Sequence, residues 1–445
     1  MNSQTNDNKK KFHIHTLGCK VNQYESQAMR ELLLKAGFEE SGDDEIADVY
    51  IVNTCTVTGE ADRESKSIMG RLHKENPNAR IVATGCLVER GYADLLSVPG
   101  ISNVLKNSEK NRIVRMVTGD EDDRWFSRPR LAELSISDFK GHSKAYVKIQ
   151  DGCENRCSYC KVPLVRGKLI SKSIKSIMAE VRDLARNGFR EIVLTGICLG
   201  SWGKDLYLWR IAHGIKLKRL NIVNVLKALD KLDGDFRIRL SSIEPKYITD
   251  ELIGFMASSK RMCKHLHIPF QSGDDDVLKL MNRPYTYSDY RSIINKVRAK
   301  IPDIALTTDM IVGFPGESHA MFRNSMAFAK KAAPARAHIF TFSRREGTPA
   351  YDMADNVDRA VIKNRYMKMS AIAIEAAYEY KRSFLGRELK VLAETKRDSK
   401  TGLLKGYSDN YIQVLFAGPD DLMRKIVPVK VVGFDSGKAM GVYVR

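Results

Sequence analysis

Short apolar runs alternate along most of the chain with segments whose apolar positions recur every three to four residues, and turn residues separate the two kinds. In the first stretch the strand-like runs FHIHTLG (12–18), DVYIVNT (48–54) and ARIVATG (79–85) alternate with the helix-like ESQAMRELLLKAG (25–37) and ADRESKSIMGRLHKE (61–75). This order predicts βαβαβ, a doubly wound parallel α/β domain spanning 11–125. The polar, charged GDEDDRWFSRPR (119–130) reads as the linker that closes it.

A second region, 139–375, repeats strand then helix. Its strand-like runs are KAYVKIQ (144–150), EIVLTG (191–196), FRIRLSSI (236–243), HLHIPFQS (265–272), ALTTDMIVGF (305–314) and ARAHIFTF (335–342). Helix-period segments such as SIMAEVRDLARNG (176–188) and YRSIINKVRAK (290–300) lie between them. Six βα units predict a partial (β/α)6 barrel, whose chemistry collects at the C-terminal ends of its strands. A charged helical bridge over 357–382 then leads to a third region, 380–445, without helix period. There KVLAET (390–395), YIQVLF (411–416), KIVPVKVVGF (425–434) and MGVYVR (440–445) predict a small antiparallel β-barrel.

Composition narrows the class. No apolar run reaches the ~18 residues a membrane helix needs. The polar start MNSQTNDNKKKF lacks the apolar core of a signal peptide, so a cytoplasmic protein is expected. In that compartment eight cysteines point to metal or catalysis rather than a disulfide framework. The formal charge of +19 favours a polyanionic partner, nucleic acid or an anionic surface. The third region holds 13 Lys and Arg against 7 Asp and Glu from Lys381 onward, so Tyr407, Tyr411 and Phe416 are expected to be available for stacking on RNA bases.

DGCENRCSYC supplies Cys153, Cys157 and Cys160 directly after the first barrel strand, with no fourth cysteine nearby. Structural zinc and ferredoxin-type clusters take four ligands. Three thiolates on a 4Fe-4S cluster leave one iron free for a small molecule, so the loop predicts a reactive cluster. Cys19, Cys55 and Cys86 each follow a predicted strand (HTLGC, IVNTC, VATGC). Parallel strand ends share one edge of the sheet, so these three are expected to converge on a second cluster.

CENRCSYC matches the Cys-x3-Cys-x2-Cys signature of radical S-adenosylmethionine (SAM) enzymes. Together with LGCKVNQYES, NTCTVT, TGC, QSGDDDVLKLMNRPYT (271–286), DMIVGFPGES (309–318) and FSRREGTPA (342–350), it makes the chain resemble the radical-SAM methylthiotransferases from about residue 12 to its end. The resemblance implies an N-terminal methylthiotransferase domain, a radical-SAM barrel and a C-terminal TRAM barrel. It further implies that Cys153, Cys157 and Cys160 hold the SAM-binding 4Fe-4S cluster and that Cys19, Cys55 and Cys86 hold an auxiliary one carrying the sulfur to be transferred. Reductive cleavage of SAM would supply a 5′-deoxyadenosyl radical, which an unactivated C–H bond demands. An electron donor and a sulfur source are then required partners.

Gly196, Gly313 and Glu244 are expected in the SAM pocket, the glycines because a side chain at those strand ends would block SAM. Arg166 is expected to meet an anionic substrate or to form a surface ion pair. Cys198, where the family pattern has a histidine, and Cys263 read as buried inert thiols, and 206–220 as a basic amphipathic surface helix or an RNA contact. His265 and His267 are expected to point to opposite sides of their strand.

Among the family's substrates, LGCKVNQYES and NTCTVTGEADRES most resemble the branch acting on N6-threonylcarbamoyladenosine in tRNA. Lys20, Val21 and Asn22 replace the Gln-Met-Asn of the isopentenyladenosine branch and the Pro-Lys-Asn of the branch acting on a ribosomal-protein aspartate. The expectation is therefore methylthiolation of C2 of that adenosine at tRNA position 37. The alternative from another class is an iron–sulfur RNA-binding redox protein.

Overall fold

Alternate residues of the strand Val49–Thr54 face opposite cores, which fixes the architecture of the N-terminal region. In the computed structural model, which describes residues 9–444 except 43, 90, 92–94, 96–97, 120–133, 214–218 and 355–356, the chain forms two compact units. The first comprises the chain up to Ile136 with 151–154 and 161–170. Its strands β1 (Lys11–Thr16), β2 (Glu39–Glu40), β3 (Val49–Thr54), β4 (Arg80–Gly85) and β5 (Ile101–Leu105) form one sheet in the order β2-β1-β3-β4-β5. All its pairings are parallel, with Ile14 opposite Ile51 and Ile51 opposite Val82. Val49 and Ile51 pack with Met29 and Leu33 of the helix Lys20–Lys35, and Tyr50 and Val52 with Met69 and Leu72 of the helix Gly59–Glu75. A sheet buried on both faces is the doubly wound arrangement. β2 and β5 were not among the predicted strands; β2 is a two-residue edge, and ISNVL in β5 mixes exposed and buried positions. The predicted linker at 119–130 lies outside the described residues apart from Gly119.

All six predicted barrel strands form: β6 (Ala145–Asp151), whose last residue belongs to the first unit, and, in the second, β8 (Glu191–Gly196), β9 (Arg237–Leu240), β10 (His265–His267), β11 (Ala305–Val312) and β12 (Arg336–Thr341); a two-residue β7 is Ile170–Ser171. β6-β8-β9 and β10-β11-β12 are parallel sheets, and the bridges Ile238–Met262 and Ser242–His267 join them into one six-stranded parallel wall. Helices lie between the strands, and several start on side-chain caps, such as Ser173, Thr249 and Ser318. Thr286 accepts from the Asp289 amide at 3.3 Å while Asp289 accepts from the Thr286 amide at 2.8 Å, a reciprocal box opening the helix Tyr287–Lys300.

The helix Arg359–Arg382 packs on β12 and leads to a closed barrel of β13 (Glu388–Ala393), β14 (Leu404–Ser408), β15 (Gln413–Phe416), β16 (Ile426–Asp435) and β17 (Lys438–Tyr443), ordered β13-β14-β15-β17-β16. The barrel departs from the expected antiparallel pattern at one seam, where β15 and β17 pair in parallel to close it. Arg237 and Arg239 of β9 donate to the backbone oxygens of Lys390, Tyr407, Ser408 and Asp409 at 2.7–3.0 Å. These bonds bind the barrel to the six-stranded wall within one unit.

Candidate metal centre

In the first unit Cys55 and Cys86 follow β3 and β4 directly and Cys19 follows β1 after Leu17 and Gly18, all on the C-terminal edge of the sheet. Two glycines permit the crowding. A Cβ on Gly18 (φ +91°) would lie 2.8 Å from the Cys55 sulfur, and one on Gly85 (φ +99°) 2.3 Å from the Thr54 oxygen. Asn22 ties the loops together, its amide donating to Leu17 O at 2.8 Å and Thr54 O at 2.9 Å. Burial pushes the Cys55 thiol up to about 11, and the neighbouring thiols of Cys86 and Cys19 push the same way. Cys19 is exposed, whereas Cys55 and Cys86 are buried.

Arg166 belongs to this unit and corrects its predicted role. Its side chain is 1% exposed, so it forms no surface ion pair and presents nothing to a substrate in solution. Its guanidinium donates to Glu25 Oε1 at 2.6 Å, Asn22 Oδ1 at 2.5 Å and the Cys86 sulfur at 3.3 Å. Lys110 pairs with the same Glu25 and donates to Asn53 Oδ1 at 3.0 Å. Burial raises the Cys86 thiol, and the charges of Arg166 and Lys110 oppose it.

The second cysteine set lies on the loop 152–161 after β6. In the first unit, the Cys153 amide donates to Gly167 O at 3.2 Å, and a Cβ on Gly152 (φ +75°) would fall 1.9 Å from Lys168 O. In the second unit, the Cys160 amide donates to Cys157 O at 3.1 Å, and Ser158 is held by Met281 O at 3.0 Å and by the Ala350 amide at 2.8 Å. Arg283 donates through Nη1 to the Cys157 sulfur at 3.1 Å and through Nη2 to Glu244 Oε2 at 2.6 Å. The Tyr285 hydroxyl reaches the same carboxylate oxygen at 3.0 Å. Glu244, a predicted SAM-pocket residue, is thus held through Arg283 beside the cysteine loop. Arg283 lies in the quoted MNRPYT run, but nothing in sequence alone marks its contact with Cys157.

The two predicted glycines have structural requirements of their own. At Gly196 a Cβ would lie 2.9 Å from Gln150 Oε1, which accepts from the Cys198 amide at 2.7 Å. At Gly313 (φ +74°) it would lie 2.5 Å from Ile362 Cγ1, and the Gly313 amide donates to Glu317 at 2.8 Å. The protein's own packing accounts for both glycines without a ligand.

Cys198 and Cys263 are buried thiols as expected, and burial pushes Cys263 up to about 12. The two histidines are corrected: residues two apart on a strand share a face. His265 Nε2 and His267 Nδ1 both lie 2.9 Å from Thr307 Oγ1. The aromatic expectation is corrected for Phe416, while Tyr407 and Tyr411 stay partly exposed. Phe416 is fully buried in the barrel core, and Tyr411 stacks between His265 (4.5 Å) and Tyr407 (5.3 Å), with Arg239 5.0 Å from its ring centre. The periodicity of a basic barrel could not show that Phe416 points into its core. Of the basic segment 206–220, the helix Lys204–Ala212 exposes Leu208, Trp209 and Ile211, while 214–218 lie outside the described residues.

All eight cysteines are free, and no set of three or more His, Cys, Asp or Glu among the described residues is gathered closely enough to hold a metal ion. The donor chemistry nevertheless fits iron–sulfur clusters. Each cysteine set contains one sulfur that accepts a hydrogen bond from a buried guanidinium, a charged donor that suits a metal-bound sulfur. No helix among the described residues is long and apolar enough to cross a membrane.

Comparisons with known proteins agree with this arrangement. The Radical SAM superfamily pattern matches residues 147–329, and that of uncharacterized protein family UPF0004 matches 11–105. The chain is 36% identical over 97% of its length to the threonylcarbamoyladenosine tRNA methylthiotransferase MtaB of Bacillus subtilis (strain 168), covering 96% of that protein. It is 38% identical to the protein of the same name from Thermotoga maritima, with 92% of each chain covered. The tRNA-2-methylthio-N(6)-dimethylallyladenosine synthase of Clostridium tetani is 32% identical, with 94% of this chain and 93% of that one covered. Among solved structures, the radical S-adenosylmethionine methyltransferase TsrM of Kitasatospora setae shares the fold at a TM-score of 0.51 and 14% identity, over 77% of this chain and 74% of that one. Near-complete coverage at these identities establishes that the chain belongs to the radical-SAM methylthiotransferase family, whose enzymes use SAM and 4Fe-4S clusters.

Proposed function

We propose that this enzyme adds a methylthio group to C2 of N6-threonylcarbamoyladenosine at position 37 of tRNA. The observation that carries the substrate assignment is the full-length identity of 36% and 38% to the two MtaB proteins, against 32% to the dimethylallyladenosine synthase of Clostridium tetani. Lys20, Val21 and Asn22 beside Cys19 support the same branch, and the charge of +19 suits a tRNA substrate.

Cys153, Cys157 and Cys160 would hold the SAM-binding cluster, and Cys19, Cys55 and Cys86 the auxiliary one. When bound, the first cluster together with SAM would supply the radical that abstracts hydrogen from C2, and the second the sulfur that replaces it. The chain's own contribution is placement and electrostatics. Arg283 fixes the Cys157 sulfur and the Glu244 carboxylate together, and Gly196 ends β8 and Gly313 follows β11 at the barrel mouth, where we place SAM. A second SAM as methyl donor, an external electron donor and a sulfur source complete the reaction, and the cytoplasm, where tRNA is found, is the assigned compartment.

The test is mass spectrometry of nucleosides from tRNA of cells with and without the gene. Accumulation of threonylcarbamoyladenosine with loss of its methylthio derivative supports the assignment. Loss of methylthiolated dimethylallyladenosine instead would move the enzyme to the other tRNA branch.

A further inference from the structure

Arginine carries five N–H donors in a rigid planar fork, and burying it without satisfying them is expensive. Arg166 spends the whole fork inside the first unit. Nε donates to the Cys86 sulfur at 3.3 Å. Nη1 donates to Glu25 Oε1 at 2.6 Å and Asp151 Oδ2 at 3.4 Å, and Nη2 to Asn22 Oδ1 at 2.5 Å and Glu25 Oε2 at 3.3 Å. The side chain is 1% exposed, and Glu25 beneath it is fully buried.

The carboxylates of Glu25 and Asp151 would suffice to neutralise Arg166 and Lys110. The fifth donor goes to a sulfur, a weak acceptor unless it is ionised or metal-bound. Among the described residues Cys86 alone of the three strand-end cysteines takes a charged side-chain donor. Cys19 is exposed at the helix N-terminus, and Cys55 takes backbone amides. The three sulfurs are therefore electrostatically unequal.

We propose that Arg166 is a positioning residue that fixes the Cys86 sulfur and, through that single hydrogen bond, raises the reduction potential of the cluster held by Cys19, Cys55 and Cys86. A cation beside one thiolate stabilises the added electron of the reduced state, and hydrogen bonds to ligand sulfurs are an established control of cluster potential. The inference rests on the assignment of those three cysteines as cluster ligands and is independent of which nucleoside is modified.

The test uses full-length protein carrying Cys153→Ala, Cys157→Ala and Cys160→Ala, so that one cluster remains, reconstituted and titrated by electron paramagnetic resonance, with iron and sulfide measured per chain. Arg166→Gln should lower the midpoint potential, and Arg166→Lys, which keeps the charge but loses the fork, should fall between it and the parent. If the Gln variant holds no iron, the Lys variant is compared with the parent alone and should still titrate lower. Equal potentials at equal iron content would overturn the proposal. A failed substrate assignment would leave these potentials unchanged, so the two ideas fail separately.

Discussion

Replacing Glu191 by alanine removes, at the start of β8, the one carboxylate among the described residues that pairs with Arg237 and Arg239. Glu191 is 1% exposed and accepts from Arg237 Nε at 2.7 Å and from Arg239 Nε and Nη2 at 2.8 and 3.0 Å. Burial alone would raise its pKa, but the two guanidiniums outweigh that and hold the carboxyl well below the usual range. Removing one partner of a buried ion pair costs about 3–5 kcal/mol, because the charge left behind stays desolvated. At about 2 °C per kcal/mol for a large domain, the melting temperature should fall by roughly 6–10 °C. Arg237 and Arg239 also hold the C-terminal barrel, so proteolysis of the 382–388 connection should accelerate in the same variant. The pH dependence has a definite sign. A carboxylate whose folded pKa is depressed stabilises fully above its unfolded value, near ~4.3, and loses that contribution as pH falls towards the folded pKa. The gap between parent and Glu191→Ala should therefore be constant from about pH 6 to 8 and shrink below about pH 4. A gap under about 1 kcal/mol at pH 7 by urea denaturation, or one that widens on acidification, would refute the reasoning.

Further outcomes follow from the corrected placements. Phe416→Ala should destabilise the second unit by about 3–5 kcal/mol in thermal melts, as loss of a fully buried ring in the barrel core. Tyr411→Ala should likewise lower the melting temperature, because His265 and Tyr407 lose their stacking partner; an unchanged melt with weakened tRNA binding in a filter assay would restore the surface-platform view. Alanine at any one of Cys19, Cys55, Cys86, Cys153, Cys157 or Cys160 should abolish the methylthio product, whereas Cys263→Ala, at a thiol pushed up to about 12, should leave the iron content of the purified protein unchanged.

The fold was legible wherever periodicity and burial coincide. β3 and the strands of the central wall are runs whose alternation or continuous apolarity shows directly, and their order dictates the parallel sheets. β14, LKGYS, was missed because its pattern of buried and half-buried positions includes a glycine whose Cβ would meet Leu392 O at 2.4 Å, so packing rather than apolar content defines that strand. The cysteines were legible because thiols in threes at strand ends have few other uses. Their partners were not. Arg166 and Arg283 look like surface cations in a basic chain, and only the fold shows that each is buried with a sulfur as acceptor. The histidine error was one of strand geometry, since His265 and His267 share a face, and both meet Thr307.

The most direct test of the central assignment is reaction of the purified, reconstituted enzyme with two tRNAs, one carrying N6-threonylcarbamoyladenosine and one carrying isopentenyladenosine at position 37. SAM, sulfide and a low-potential reductant are supplied, and the nucleosides are read by mass spectrometry. The account predicts the methylthio derivative on the first tRNA and none on the second. Product on the second alone would contradict it.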